Sequence, residues 1–288
     1  MSTTNVWKIM WNEIKNDKLA LIGLIFFIVV VATVYIWYPF IDQTAANRVD
    51  ILNRHVPWGD SDFILGTDSS GRDMLSQLIM SARNSFSIAF LIAGGASIIG
   101  IFVGLFSGFY GGHVDNVVMR IIDFVGMIPF MMIIITIVAI IPNYSVATFS
   151  LIFIIFSWQG TARIIRAKAL QQRELDYVSA SKTLGTPNIV IIFREVLPNL
   201  VSIITSNFTL VLAATMGIET GLTFLGFGLP HGTPSLGRLV FNARVPYDMQ
   251  NRVWLWLPAA LLIILMMLCI NFVGQALNRA ADAKKRTH

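Results

Sequence analysis

Charge is scarce in this chain of 288 residues: 13% are Asp, Glu, Lys or Arg, where soluble domains carry about 25%. Cysteine is nearly absent. Cys269 stands alone inside an apolar run, which excludes a disulfide framework and a thiolate metal site. No glycine-rich loop ending in Gly-Lys-Ser or Gly-Lys-Thr occurs, so the polypeptide lacks that route to binding a nucleotide phosphate. The four histidines, His55, His113, His231 and His288, are scattered, mostly in loops. No His/Cys/Asp/Glu group has metal-ligand spacing, and no Ser/His/Asp set can be defended. The expectation is a chain with no catalytic residues, no metal and no cofactor of its own, and not an enzyme.

What is present is hydrophobic: 55% of residues are apolar and the mean hydropathy is +0.69. The composition indicates an all-α integral membrane protein. Residues 1–18 set Trp7, Met10, Trp11 and Ile14 on one helical face and Lys8, Asn12 and Lys15 opposite, the pattern of an interfacial helix. Leu19 to Trp37 follows without a charge, long enough to cross about 30 Å of hydrocarbon. That run is too long for a signal peptide and lacks a small-residue cleavage site, so it reads as a retained span. Five more apolar runs follow, at about 85–110, 121–141, 144–162, 200–227 and 253–277.

Six spans put both termini on one side, and the basic residues choose it. Of the 21 Lys and Arg, fourteen fall on the side of the termini, among them Arg120, Arg163, Arg166, Lys168, Arg173, Lys182 and Arg194. The other seven, Arg48, Arg54, Arg72, Arg83, Arg238, Arg244 and Arg252, include no lysine. The bias places the termini in the cytoplasm. The net charge of +5 follows this topology and gives no reason to expect nucleic acid as a partner.

One polar stretch between apolar runs organises the rest: Glu174 to Pro198. Tyr177, Ala180, Ser181 and Leu184 recur at i, i+3, i+4, i+7, the spacing of one helical face. Glu174 and Asp176 in the first turn and Lys182 near the end suit the helix dipole. Gly185 supplies a stop and Pro187 prevents continuation. A second helical run starts at about Asn188, and Pro198 marks its entry into the next apolar segment. This helix–break–helix elbow resembles the signature loop of ABC-importer permeases, with Ser179, Ala180, Ser181, Gly185, Leu197 and Pro198 at the family spacing. Ser179 stands where the family has Glu, and Ser181 where it has Ala. Flanking Glu174, Asp176, Tyr177 and Val178 before it, and Ile192, Phe193, Arg194, Leu197, Pro198 and Asn199 after it, are similar to the peptide-importer branch.

Further segments, in the same order, resemble the C-type membrane subunit of dipeptide and oligopeptide importers, a family that also carries nickel and glutathione. They are Lys18 to Gly23, Leu65 to Asp73 and Gly217 to Pro230, with Pro234 to Arg238 beyond. The resemblance implies a type I ABC-importer permease fold with six transmembrane helices and a cytoplasmic coupling helix between the fourth and fifth. It implies a heterodimer with a homologous B-type permease, two cytoplasmic ATPase subunits holding ATP-Mg, and an extracytoplasmic substrate-binding protein, in the prokaryotic plasma (inner) membrane. It assigns ATPase coupling to Glu174, Asp176, Tyr177, Ala180, Ser181, Leu184 and Gly185. Thr67, Asp68, Arg72 and Asp73 become a receptor-docking loop, or alternatively a structural lid in which Asp68 caps a turn.

Three more expectations come from the residues themselves. Ala96, Gly100, Gly104, Gly108 and Gly112 recur at every fourth position, a ridge for close helix packing. Arg120 and Asp123, three apart, read as a local ion pair, and Pro129 as a kink in the third span. Glu219, an acid well inside an apolar run, lines the path or caps a helix break near Gly217 and Gly221. The units are then 1–18 interfacial helix, 19–37 first span, 38–84 extracytoplasmic loop, 85–280 five-span core with coupling loop 170–199, and 281–288 basic tail. An ion-gradient transporter is the reading from another class. It calls for several intramembrane acids and an internal repeat, neither of which the chain displays.

Overall fold

The computed structural model describes residues 3–60, 62–230 and 232–286. His231 and His288 of the sequence analysis lie outside the described residues. Among these, the structure is helical and the one β-type contact is an isolated bridge between Thr67 and Asp73. Helices α1 (Thr3–Asn16) and α2 (Lys18–Trp37) meet at Asp17, whose carboxylate accepts from the N–H groups of Leu19 and Ala20. That N-cap starts the first span at the residue where charge ends. In α1 the expected apolar face divides. Met10 and Ile14 bury against Val273, Ala276, Leu277 and Ala280, leaving Trp7 and Trp11 exposed.

A short helix, α3 (Gln43–Asn47), precedes α4 (Met74–Tyr110). The second span therefore begins eleven residues before the apolar run at Ser85. Polar side chains hide this start from a hydropathy reading, because their partners are tertiary. Gln77 donates to the Ala46 carbonyl at 2.8 Å and Asn84 to that of Pro234 at 3.0 Å. Asp73 caps the helix through the N–H groups of Leu75 and Ser76.

The third apolar run is broken outright. Helices α5 (Gly112–Gly126) and α6 (Phe130–Ile140) bend by 71° across Met127, Ile128 and Pro129. Proline has no N–H and its ring excludes the carbonyl four residues back, so the kink expected at Pro129 is a full interruption. The fourth run comprises α7 (Val146–Ser157) and α8 (Gln159–Arg173), extending well past Ala162. After α9 (Asp176–Thr183), α10 (Asn188–Ile191) passes through one π-turn, Ile192–Val196, into α11 (Leu197–Phe224). The π-turn absorbs Pro198: the Leu197 N–H reaches back five residues to the Ile192 carbonyl. Pro198 thus marks no break, and 188–224 is one continuous run. Helices α12 (Leu236–Asn242), α13 (Pro246–Asn251) and α14 (Leu257–Arg286) complete the chain. The backbone of the expected tail is helical as far as Arg286; the remaining two residues lie outside the described ones.

Five of these runs are long and apolar enough to cross a membrane, and the bent α5–α6 pair makes a sixth if counted as one span. Helices α4 and α11 sit at the centre. One apolar cluster joins them to α2, α12 and α14, a second to α6 and α7, and a third to α8, α9 and the π-turn. The small-residue ridge is where α4 meets α8. A β-carbon on Gly104 would stand 2.4 Å from the Ala162 carbonyl oxygen, one on Gly100 2.7 Å from that of Trp158, and one on Gly108 2.5 Å from that of Arg166. Ala96 is fully buried. Gly112 departs from the ridge: it opens α5 with a positive φ of 56°, and a β-carbon on it would meet nothing within 4 Å. The turn at Gly111 and Gly112 takes it off the face that simple periodicity assigned.

Candidate functional site

The elbow is built by a helix that stops on glycine. At the end of α9 the Gly185 N–H bonds to the Lys182 carbonyl and the Thr186 N–H to that of Ser181, both at 3.0 Å. Gly185 holds φ +79°, the left-handed conformation this two-bond stop requires. Val178 is fully buried beneath the helix, against a cluster including Leu105, Ile165 and Ile192. Tyr177 donates to the Gln172 carboxamide at 2.8 Å, and partial burial pushes its phenol up from the ordinary value. Ser181 donates to the Glu195 carboxylate at 2.7 Å, tying α9 to the π-turn. Glu174 pairs with Arg173 at 2.8 Å, and Asp176 is exposed in the first turn.

The face assigned by periodicity accordingly splits in two. Tyr177 and Ser181 hold the elbow to the bundle, while Ala180, Leu184 and Gly185 point away from it. Leu184 is 85% exposed, and Leu175 and Ile189 beside it are exposed too. Glu195 and Val178 lie within the stretch read as the elbow, but their part in holding it to the bundle was missed. Glu195 gives no local signal because its partner lies fourteen residues away in another helix.

At the opposite end, the four residues of the candidate docking loop do structural work. Thr67 is fully buried; its hydroxyl donates to the Asn53 carbonyl and accepts from the Val56 N–H, and its carbonyl accepts from the Trp254 indole. Asp68 caps a turn, accepting from the N–H groups of Ser70 and Arg72, and pairs with the Arg72 side chain at 3.2 Å. Asp73 is the α4 cap. The His55 imidazole accepts at Nε2 from Arg252 at 3.0 Å, and Arg252 is itself paired with Asp248. Burial, with Arg252 second, lowers the His55 pKa. Arg72 and Asp73 also border a groove of about 820 Å³ with Asp42, Arg48 and Asp50.

Glu219 is 1% exposed. Its carboxylate accepts from Thr223 at 2.9 Å, with the hydroxyls of Thr220 and Ser85 completing the shell. Thr223 and Ser85 in turn accept from the N–H groups of Leu229 and Leu236. Through Thr223 and Ser85 the carboxylate thus ties Leu229 and Leu236 to α11 and α4. No helix break lies at Gly217 or Gly221; α11 runs through both. The cap expected there is an anchor for the following loop.

Asp123 does not pair with Arg120. Its partner is Arg163 on α8, at 2.8 Å, and one helical end earlier Asp115 takes Arg166 in two bonds of 2.5 Å. Two ion pairs thus hold α5 to α8. Spacing of i, i+3 identified a neighbour, but the cross-helix guanidinium lies in a better position. Among the described residues no group of His, Cys, Asp and Glu could hold a metal ion.

Comparison with known proteins fits this arrangement. Residues 100–287 match the family described as binding-protein-dependent transport system inner membrane component, and residues 5–57 match the N-terminal transmembrane domain of oligopeptide transport permease C. The chain is 44% identical, over 96% of its own length and 94% of the relative's, to the oligopeptide transport system permease protein OppC of Lactococcus lactis subsp. cremoris. It is 34% identical to the dipeptide transport system permease protein DppC of Haemophilus influenzae, covering 95% of this chain and 93% of that one. The oligopeptide transport system permease protein AmiD of Streptococcus pneumoniae is 31% identical, with 98% and 90% covered. A bundle of apolar spans, an exposed elbow and these matches along nearly the whole chain lead to one conclusion: the chain belongs to the family of binding-protein-dependent transport system inner membrane components, the permease subunits of bacterial ABC importers.

Proposed function

We propose that the chain is the C-type permease of an ATP-driven importer of oligopeptides or dipeptides, forming the path together with a homologous B-type permease. The α5–α6 pair counts as the third of six spans, both termini are cytoplasmic, and α9 is the coupling helix between the fourth and fifth. The unit boundaries of the sequence analysis follow, with the core begun at Met74. ATP-Mg is held by two separate ATPase subunits; this chain binds no cofactor and performs no catalysis. An extracytoplasmic binding protein delivers solute to the outer groove.

The observation that carries this reading is the elbow. Its outer surface, Ala180, Leu184 and Gly185 with Leu175 and Ile189, is exposed and apolar, and its underside is bolted by Val178, Tyr177 and Ser181. Force applied to such a helix moves the bundle with it instead of bending the loop, a rigid-element transition between two packed states. In the reconstituted complex, Gly185→Pro and Ala180→Glu are expected to leave ATP hydrolysis running while peptide uptake stops. Full uptake by both variants would refute the coupling role, and uptake by this chain alone in vesicles would end the whole reading.

A further inference from the structure

On the six-span reading proposed above, the interruption between α5 and α6 falls within the membrane. Helix α6 has 11 residues, so at 1.5 Å per residue the break sits about 16 Å from the outer turn, near the middle of a hydrocarbon layer of about 30 Å. Gly126, Met127 and Pro129 there are exposed, and Met127 is 80% so. Non-helical backbone at that depth cannot face lipid, because its amides and carbonyls would go unpaired; it must face protein or water. The N–H groups of the first turn of α6 add donors without intrahelical acceptors.

Two independent features meet at the same place. A cavity of about 230 Å³ opens between Gly126 and Pro129 on one side and Phe156 and Gln159, at the α7–α8 joint, on the other. One turn below stand Asp123 and Arg163, paired yet 55% and 53% exposed. Arg163 is close enough that a β-carbon on Gly126 would lie 3.4 Å from its guanidinium. A half-exposed ion pair inside a span faces protein or a water-filled path and not lipid.

We propose that this break, Gln159 and the Asp123–Arg163 pair form a polar way-station on the translocation path that takes a zwitterionic peptide by its backbone and termini. The station deepens the transport reading above and rests on it. The Gln159 carboxamide and the unwound backbone match amide groups, Asp123 matches a terminal ammonium, and Arg163 a terminal carboxylate. None of these contacts reads a side chain. Passage is then indifferent to peptide sequence, and the exposed, adaptable Met127 and Met131 tolerate whatever residue passes.

The test uses the complete complex in proteoliposomes, with a peptide carrying a diazirine photolabel. Under ATP turnover, adducts are expected within residues 123–132 and 156–163, mapped by mass spectrometry. In Asp123→Asn/Arg163→Gln, uptake should fall about tenfold and the adducts disappear, while co-purification of the partner subunits persists. Adducts confined to other segments, or wild-type uptake by the double variant, would overturn the station. Absence of ATP-dependent uptake by the wild-type complex would instead sink the transport reading beneath it.

Discussion

Helix α8 is gripped on two sides in opposite ways. Against α4 it meets a ridge of glycines that brings backbone to backbone, with no room at Gly104 for a single extra carbon before the Ala162 carbonyl. Against α5 it is held by Asp115–Arg166 and Asp123–Arg163, bridges of long side chains between helices that otherwise touch little. In lipid no hydrophobic drive presses helices together, so close van der Waals approach is what welds a pair. The first contact has a single geometry. The second can open by rotating side chains, and α5 is flanked by Gly111 and Gly112 at one end and the 71° bend at the other. One helix thus serves as the boundary between a fixed half and a hinged half.

Three substitutions would break or sharpen that contrast. The largest effect is expected from Gly104→Leu, which drives a side chain into backbone that cannot yield. Overpacking costs about 1–3 kcal/mol in ordinary cores, and this site belongs at the upper end or beyond. The amount of monodisperse protein extracted from membranes should drop several-fold, whereas Phe102→Leu on the exposed side of α4 should leave it unchanged. Equal yields would mean that the seam is as adaptable as the bridges. Next comes Asp115→Asn, which leaves Arg166 without its counter-charge. Asp115 is 9% exposed and Arg166 30%, so the loss is discounted to about 1–3 kcal/mol, below that of a sealed pair. A lowered aggregation temperature of the purified complex would register it. The smallest is Asp123→Asn: a pair more than half exposed contributes under about 1 kcal/mol. Its aggregation temperature should match wild type, and a drop equal to that of Asp115→Asn would show that both bridges are structural.

The seam was legible in the sequence and the hinge only in part. Glycine every fourth residue means one face of a helix whatever surrounds it, and Gly100, Gly104 and Gly108 behave accordingly. Gly112 fails because a positive φ at Gly111 ends the helix first. Pro129 announced an interruption, but its angle depends on what α5 is tied to, and those ties are ion pairs spanning 40 and 51 residues. Arg120 won the local reading because only neighbours within a turn can be seen in one dimension. The elbow shows the same limit. Gly185 and the helix before it were read correctly except for Glu174, which ends α8 instead of opening α9, whereas which residues face inward was decided by Glu195 and the buried bed beneath Val178. The outer start of α4 was read as loop because its polar side chains find partners 31 and 150 residues away.

The unbroken run from Asn188 to Phe224 has 37 residues, a rod of about 56 Å, longer than the bilayer with its headgroups. Its lower tip is stapled to the elbow by Ser181 and Glu195, and its upper tip carries the carboxylate around which the 225–236 loop is wound. Length converts angle into distance. On the proposed topology, a tilt of about ten degrees at the elbow end would carry the other end sideways by about 10 Å, and that loop with it, without any residue in between changing its neighbours along the helix.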